Sequence, residues 1–208
     1  MKSQVALLLL CVFFNKALAL KCNKCTPTSP TTSCSPVTPT ECSSGTQCAS
    51  VTASITTVVS KTDVNVKTCG APEECATQSL NLGLLKVTSN AKCCSTDLCN
   101  TDSPAALIQS ANGKRCYTCD SSDCSKTVNC EGIEDRCISA TVEQGGSKVS
   151  MKGCVSKNVC DAASGSSLQG IAVTKLTCCE GNLCNGAETF TLSFLILVVP
   201  LFSSILLH

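Results

Sequence analysis

Hydrophobic and polar side chains alternate along the middle of the chain with the two-residue period of β-strands. In residues 49–68, ASVTASITTVVSKTDVNVKT, the apolar positions from Val51 to Ile55 alternate with threonine and serine. Such alternation is typical of a strand with one buried face. We predict a turn near Ser60 to Asp63 and a returning strand from Val64 onward.

The same pattern recurs later in the chain. Apolar positions at Ile138 to Val142 precede Gln144 to Ser147, QGGS, and a returning strand follows at Val149 to Met151. The paired glycines tolerate the positive backbone angles of a hairpin turn. Residues 80–94 and 168–179 predict one further hairpin each. Between the two ends of the chain no helical period of useful length appears, so the pattern predicts an all-β protein.

The N-terminal segment has the features of a secretory signal. Lys2 precedes an apolar run from Val5 to Phe14, and the small residues at Ala17 to Ala19 suit a cleavage site. We expect residues 1–19 to be removed. A retained membrane anchor is the alternative, but the apolar run is too short to span a bilayer.

The C-terminal segment, residues 190–208, is apolar along nearly its whole length, with no Lys or Arg behind it. Small residues precede it, which is the order of a glycosylphosphatidylinositol (GPI) attachment signal. The spacer at Glu188 to Ser193 is shorter than the usual ~8–12 residues. We predict lipid attachment at Asn185, or alternatively at Gly186, and removal of residues 186–208. A transmembrane helix and a secreted chain are the alternatives.

Cysteine dominates the composition, with 21 cysteines in 208 residues. Removing Cys11 with the signal leaves twenty of the 21, an even number that suits full pairing in an oxidising compartment. The motifs CNKC at residues 22–25 and CYTC at residues 116–119 are also compatible with zinc or redox chemistry. A secreted chain whose processed region has no histidine favours structural disulfides, so we expect no metal and no cofactor.

The processed region, residues 20–185, lacks the side chains of common catalytic and nucleic-acid sites. All five Phe and the only His fall in the removed ends, which leaves Tyr117 as the one aromatic residue. Without histidine the usual general base is missing, so we expect no enzyme. Acidic and basic side chains balance, so we expect no nucleic-acid partner. The acidic pairs Glu73–Glu74 and Glu134–Asp135 are interpreted as solvated loop charges.

Two similar eight-residue motifs, CCSTDLCN at residues 93–100 and CCEGNLCN at residues 178–185, mark an internal repeat. Five of the nine intervals between successive cysteines have equal lengths in the two halves, including one of seventeen residues. We predict a first domain at residues 20–100, a linker at 101–114 and a second domain at 115–185. Each domain is small and poor in aromatic side chains, so covalent cross-links must replace much of a hydrophobic core.

The repeated motif predicts a clasp at the end of each domain. Consecutive side chains on a strand point to opposite faces, so Cys93 and Cys94 should bond to different partners. One of them can clamp the base of the preceding hairpin, while the other closes the short loop to Cys99. The amide of the following Asn100 has donors and acceptors that can tie the chain end to a neighbouring strand.

The motifs KCNKC…CCSTDLCN and RCYTC…CCEGNLCN resemble the lymphocyte antigen-6/urokinase-receptor family of three-finger domains. The resemblance covers both predicted domains and implies an all-β, disulfide-rich fold of two tandem three-finger domains with five disulfides each. The implied pairs are Cys22–Cys48, Cys25–Cys34, Cys42–Cys69, Cys75–Cys93, Cys94–Cys99, Cys116–Cys137, Cys119–Cys124, Cys130–Cys154, Cys160–Cys178 and Cys179–Cys184.

The resemblance also implies recognition as the function. Three-finger domains bind through finger tips and the concave face of the sheet, so Ser60 to Asp63 and Gln144 to Ser147 become contact candidates. In and beside these turns, the charged candidates for partner contact are Lys61, Asp63 and Lys148. We expect a GPI-anchored protein on the outer leaflet of the plasma membrane that binds an extracellular or membrane protein. The urokinase receptor has three such domains, so urokinase binding is not carried over.

Two other functions stay open. A soluble, secreted inhibitor resembling the gamma-type phospholipase inhibitors would also have two such domains, although the apolar tail disfavours it. A toxin-like modulator of channels or receptors would be expected to have a more basic and aromatic central finger. Release of the protein from cells by a phosphatidylinositol-specific phospholipase C separates the anchored form from the soluble one.

Overall fold

The computed structural model describes residues 19–27, 34–120, 123–144, 147–163 and 172–186. The apolar N-terminal segment of the predicted signal and the apolar C-terminal segment of the predicted attachment tail lie outside these residues. Within the described ranges, no helix combines the length and the hydropathy needed to cross a bilayer.

The described residues are almost entirely β-structure, which confirms the predicted fold class. The strands of the first half are β1 (Lys21–Lys24), β2 (Thr38–Glu41), β3 (Gln47–Thr57), β4 (Lys61–Gly70), β5 (Gln78–Asn81) and β6 (Leu85–Cys94). A 3₁₀ turn at Pro72–Glu74 separates β4 from β5. The elements of the second half are β7 (Ala111–Asp120), β8 (Asp123–Glu131), β9 (Arg136–Gln144), β10 (Ser147–Val155), α1 (Lys157–Ala163) and β11 (Ala172–Cys179).

Three antiparallel hairpins, the fingers, build the first domain. β1 pairs with β2, β3 with β4, and β5 with β6, and β3 also pairs with β6. The tip of the second finger lies earlier than the sequence predicted, because β3 ends at Thr57 and β4 starts at Lys61. The Thr57 N–H donates to the Ser60 carbonyl (2.8 Å), and the Thr57 hydroxyl oxygen accepts from the Ser60 N–H (3.1 Å). These bonds close the turn before Lys61.

The described residues of the second domain repeat the first two hairpins and the pairing of the last strand with the central finger. β7 pairs with β8, β9 with β10, and β11 with β9. The hairpin predicted at residues 168–179 begins outside the described residues, and its described part is β11. The sequence predicted no helix, but α1 precedes this segment. Its seven residues are too few to show a helical period, and the Cys160–Cys178 disulfide ties it to the sheet.

Cysteine side chains form the centre of both domains. The buried cysteines of the two main clusters, each at most 5% exposed, are Cys22, Cys42 and Cys48 in the first domain and Cys116, Cys130, Cys137 and Cys154 in the second. The ten disulfides have the pairing that the family resemblance implies. Covalent cross-links therefore occupy the positions that aromatic side chains fill in a larger core.

The adjacent cysteines of the repeated motif have different partners. Cys93 bonds to Cys75, which lies just before the third finger, and Cys94 bonds to Cys99. Both members of the pair lie on β6, where neighbouring side chains point to opposite faces. The prediction that the two adjacent cysteines form disulfides with different partners is therefore confirmed.

The asparagine that ends the motif ties the chain end to two strands. The Asn100 amide donates to the carbonyls of Asn23 (2.8 Å) and Ala49 (3.0 Å), and its Oδ1 accepts from the Asn23 N–H (2.9 Å). Asn185 makes the same three bonds to β7 and β9 in the second domain. Both asparagines are at most 5% exposed. This confirms the predicted clasp, which joins the first and central strands of each domain.

We expect Asn100→Asp to lower the free energy of unfolding by about 3 kcal/mol, because the new carboxylate leaves the buried carbonyls of Asn23 and Ala49 without donors. Calorimetric thermal unfolding measures the change. The matched control is Asn90→Asp, which loses one exposed bond to the Ala105 carbonyl and should cost less than about 0.5 kcal/mol. Equal stability of the two variants would contradict the role of the clasp.

One continuous sheet joins the two domains. β5 of the first domain pairs with β10 of the second, with Asn81 opposite Cys154 and Leu80 opposite Val155. The seven strands lie in the order β11-β9-β10-β5-β6-β3-β4, while β1–β2 and β7–β8 form separate two-stranded sheets. The domains are therefore linked by strand pairing as well as by the linker.

The central strand β3 buries its polar face. Ser50 and Thr52 are at most 5% exposed, whereas Ile55, on the apolar face, is 38% exposed. The linker covers the polar face, where the Thr52 hydroxyl donates to the Pro104 carbonyl (2.5 Å). The alternation in the sequence thus predicts the strand but does not show which face is covered.

Candidate functional site

The charged contact candidates from the sequence lie in two different domains. Lys61 is exposed at the start of β4, beside the tip of the second finger. Asp63 follows on the same strand, and its carboxylate accepts a hydrogen bond from the Ser54 hydroxyl (2.6 Å). Lys148 is exposed on β10. Lys61 therefore presents an exposed charge at a tip, while Asp63 is engaged within its own sheet.

Aliphatic side chains at the finger tips were missed by sequence reasoning. Val58 and Val59 form the tip between β3 and β4 and are 74% and 88% exposed, and Leu84, between β5 and β6, is 50% exposed. Two adjacent valines at a hairpin turn were the available signal, since turns favour polar residues and glycine. The side chains of residues 144–147, the other predicted contact region, lie outside those the structure describes.

The first finger of the second domain ends in charged side chains. Lys126 donates to the Asp120 carboxylate (2.5 Å), and this hydrogen bond raises the pKa of Lys126. Hydrogen bonds from the side chain and main chain of Ser125 lower the pKa of Asp123. Lys126 and Asp123 are open to solvent, so both keep their charges at neutral pH and add little to stability.

The buried carboxylate of Glu134, in the second domain, is hydrogen-bonded to side chains of the first domain. Glu134 is 0% exposed, so its interpretation as a solvated loop charge was wrong. Its carboxylate accepts hydrogen bonds from the Ser79 hydroxyl (2.6 Å), the Glu131 N–H (2.8 Å) and the Asn81 amide (3.4 Å). Ser79 and Asn81 belong to β5 of the first domain. Donors from both domains therefore replace the water that a buried charge gives up.

Close main-chain contacts hold β10 against β5. The Ser156 N–H donates to the Ser79 carbonyl (2.9 Å), and the Ser156 hydroxyl accepts from the Ser79 N–H (3.1 Å). A Cβ at Gly153 would lie 2.0 Å from the Asn81 carbonyl oxygen, so a side chain cannot be placed there without moving a strand. Sequence patterns did not reveal this junction, because they do not show which strands of two domains meet.

A cavity of about 230 Å³ opens where β5 ends. The lining residues, which define what we call the junction notch, are Leu82, Leu84, Leu85, Cys119, Val149, Ser150, Met151 and Lys152. Most of these side chains are aliphatic and come from the β5–β6 turn and from β10. The Lys152 ammonium donates to the Gly186 carbonyl (3.1 Å) at the end of the described chain. The notch therefore lies between the domains, close to the clasp of the second one.

Two groups of cysteine sulfurs are close enough to resemble metal sites. Within each group the sulfurs lie within 4.8 Å of one another, and the groups are Cys22, Cys42 and Cys69, and Cys116, Cys130 and Cys154. Zinc binds the thiolate form of cysteine, whereas each of these sulfurs belongs to a disulfide. The two groups are therefore parts of the disulfide cores.

Comparison with known proteins gives a family and several relatives. The u-PAR/Ly-6 domain family matches residues 18–102 and 112–187. A phospholipase A2 inhibitor gamma subunit of Elaphe climacophora is 30% identical over 107 residues, which cover 45% of this chain and 54% of the relative. The protein of the same name from Elaphe quadrivirgata is 32% identical over the same shares. The chain thus spans about half the length of the curated relatives it matches.

A solved structure, that of mouse TEX101, is 20% identical to this chain. The alignment covers 79% of this chain and 98% of that chain, with a TM-score of 0.30.

The two family matches fall on the two disulfide-clamped halves described above, and together they cover most of the chain. The chain therefore belongs to the u-PAR/Ly-6 domain family and carries two copies of that domain.

Proposed function

We propose that this protein is a non-enzymatic binding protein, held on the outside of the cell by a GPI lipid, that binds another extracellular or membrane protein. Members of its family are extracellular, either lipid-anchored or secreted. The observation that carries the proposal is the exposed aliphatic tip of the second finger. Val58 and Val59 stand clear of the sheet on a frame that disulfides hold in shape.

The tip supports protein recognition for an energetic reason. An exposed aliphatic side chain gains about 1.5–3 kcal/mol when a partner buries it fully. Two adjacent valines at one tip therefore offer an anchor that polar turns lack, and Lys61 beside them adds a charge that can select the partner. The hairpin is ordered before binding, so docking costs little conformational entropy.

The proposed lipid attachment at Asn185 is compatible with the role of this residue in the clasp. The side-chain amide holds Tyr117 and Ile138, whereas the lipid would be joined through the main-chain carboxyl group. Attachment there, or at Gly186, would place the second domain next to the membrane. The first domain and its valine tip would then be reached from the extracellular side.

Treatment of intact cells with a phosphatidylinositol-specific phospholipase C tests the anchor. We expect most of the surface protein to move into the medium, because the enzyme cuts the lipid and not the chain. A version whose last 19 residues are replaced by a known transmembrane helix serves as the control and should stay on the cells. Resistance of the natural protein to the enzyme, at equal surface level, would exclude the lipid anchor.

A soluble inhibitor is the second candidate function. It is supported by the similarity to the phospholipase A2 inhibitor gamma subunit of Elaphe climacophora, which is 30% identical over 107 residues. The same experiment separates the candidates, because an inhibitor of this kind would accumulate in the medium before any enzyme is added. Surface protein that appears in the medium only after treatment favours the anchored receptor or co-receptor.

A further inference from the structure

We propose that the first finger of the first domain carries O-linked glycans that begin with N-acetylgalactosamine, on exposed hydroxyl residues that directly precede a proline. The acceptors are Thr26, Ser35 and Thr38. This inference goes beyond partner binding, because it assigns a modification site to a finger to which the proposed function gives no part. It requires only passage through the secretory pathway, which the anchored and the secreted forms share.

The first finger has an unusual composition. Residues 26–40, TPTSPTTSCSPVTPT, contain six threonines, three serines and four prolines, and each of these prolines directly follows a serine or a threonine. Segments rich in Ser, Thr and Pro are typical of O-glycosylated extracellular proteins. The sequence contains no Asn-x-Ser/Thr motif, so a glycan on any side chain of this finger is expected on a hydroxyl group.

The three acceptors are exposed in the described part of the finger. Thr26 lies two residues beyond the end of β1, and Thr38 begins β2, where it pairs with Lys24 at the last position of the ladder. The hydrogen bond from the Thr38 hydroxyl to the Lys24 carbonyl is long (3.4 Å), so its loss on glycosylation costs little. The acceptors can therefore take a bulky group without disturbing the disulfide centre.

Proline also restricts the backbone of each acceptor. A residue before proline is pushed out of the helical region toward extended conformations, because the proline ring meets its main chain and Cβ. Two main-chain hydrogen bonds between Cys25 and Lys67, both 2.9 Å, hold the chain just before Thr26, and pairing with β1 holds Thr38. Both threonines therefore lie on anchored backbone that is extended or strongly favours the extended form, which the cleft of a transferase can accommodate.

The corresponding finger of the second domain has a different chemistry. Residues 119–129 contain no proline, and two aspartates and a lysine among them supply charge. In the first domain, residues 25–40 contain no charged side chain, although Val37 is 43% exposed. An uncharged, exposed hairpin rich in threonine is prone to pair with strands of other molecules. Attached sugar would supply the hydration that charges supply in the second domain.

The transfer uses a nucleotide sugar as the donor. The hydroxyl oxygen of the acceptor attacks the anomeric carbon of uridine-diphosphate N-acetylgalactosamine. The new carbon–oxygen bond replaces the bond from that carbon to the diphosphate, and the hydroxyl proton leaves with the released uridine diphosphate. No oxidant or reductant is needed. The chain supplies only the accepting hydroxyl group, and catalysis belongs to the transferase.

Peptide mapping of the full chain, expressed in mammalian cells and purified in its processed form, tests the modification. After reduction and alkylation, trypsin cuts after Lys24 and Lys61, and a Glu-specific protease cuts after Glu41, which isolates residues 25–41. We expect most copies of this peptide to carry N-acetylhexosamine. Sialidase followed by an endo-α-N-acetylgalactosaminidase should remove it, and electron-transfer fragmentation should locate it on the proposed acceptors.

Three variants test whether the sugar depends on the proposed features. Thr38→Val should lose the sugar at that position and keep the fold, because valine has a similar shape and suits a strand. The matched control is Thr96→Val, at an exposed threonine that no proline follows, and it should leave the glycan pattern unchanged. Pro27→Ala keeps the Thr26 hydroxyl, but most of its sugar should disappear, because alanine no longer restricts the preceding residue.

The proposal is overturned by an unmodified peptide, by sugar that avoids all three acceptors, or by phosphate in place of the sugar. Unchanged sugar on Thr26 in the Pro27→Ala variant would also overturn it. These outcomes are separate from failure of the proposed function, which phospholipase release and the finger-tip valines report. A glycosylated peptide from a protein that resists the phospholipase would reject the anchor alone, and an unmodified peptide from a released protein would reject the glycan alone.

Discussion

Replacing Gly153 by alanine is expected to separate the two domains and to lower the free energy of unfolding by about 3 kcal/mol or more. The new Cβ would lie 2.0 Å from the Asn81 carbonyl oxygen and 3.0 Å from the Leu82 Cα. Both are main-chain atoms, so β10 must move away from β5. That movement also takes Ser79 and Asn81 from the Glu134 carboxylate, and a buried charge without its partners typically costs several kcal/mol.

Calorimetry and small-angle scattering together measure this effect. We expect a fall in Tm on the order of 10 °C and a larger radius of gyration, because the strand pairing between the domains would be lost. The matched control is Gly70→Ala, whose Cβ would meet the side chains of Ala49 and Glu74 at 3.3 Å. These side chains can shift, so the control should cost less than about 1 kcal/mol. An unchanged Tm for Gly153→Ala would contradict the close approach of the strands.

Replacing Val58 and Val59 together by aspartate is expected to weaken partner binding at least 100-fold. Full burial of the two valines would contribute about 3–6 kcal/mol, and the charged replacements would also have to lose their water. The substitutions lie at an exposed tip and touch no part of the core, so folding should be unaffected. Proximity labelling on intact cells, followed by direct binding to the labelled neighbour, measures the loss.

The control for the finger tip is Ile108→Asp in the linker. Ile108 is 99% exposed, so the change has the same chemistry at a different surface. This variant should reach the cell surface at the same level and label the same neighbours as the natural protein. If the double aspartate variant also labels those neighbours unchanged, the second finger is not the binding surface.

The sequence predicted those parts of the fold that depend on local spacing. Alternation from Val51 to Ile55 predicted β3, because neighbouring side chains of a strand point to opposite faces. The same rule predicted that Cys93 and Cys94 bond to different partners. The hydrogen-bonding capacity of a side-chain amide predicted the clasp at Asn100. Each of these features follows from a few consecutive residues.

Features that depend on distant contacts could not be predicted in the same way. Glu134 resembles any loop carboxylate in sequence, and its burial follows only from the pairing of β5 with β10. The polar face of β3 is covered because the linker runs across it, as the bond from Thr52 to Pro104 shows. Helix α1 has only seven residues, too few to show a helical period, and the disulfide that holds it joins it to a distant strand. The finger-tip valines had a local signal that was overlooked.

The pairing of β5 with β10 has a consequence for avidity. If the proposed partner contacted both domains, the β5–β10 pairing would limit how far its two contact surfaces could move apart. Once such a partner engaged the first surface, the second would act at a high effective concentration, whereas a flexible tether would spread it over many positions. Two weak contacts can therefore combine into one durable attachment, provided that the spacing of the ligand matches that of the sheet.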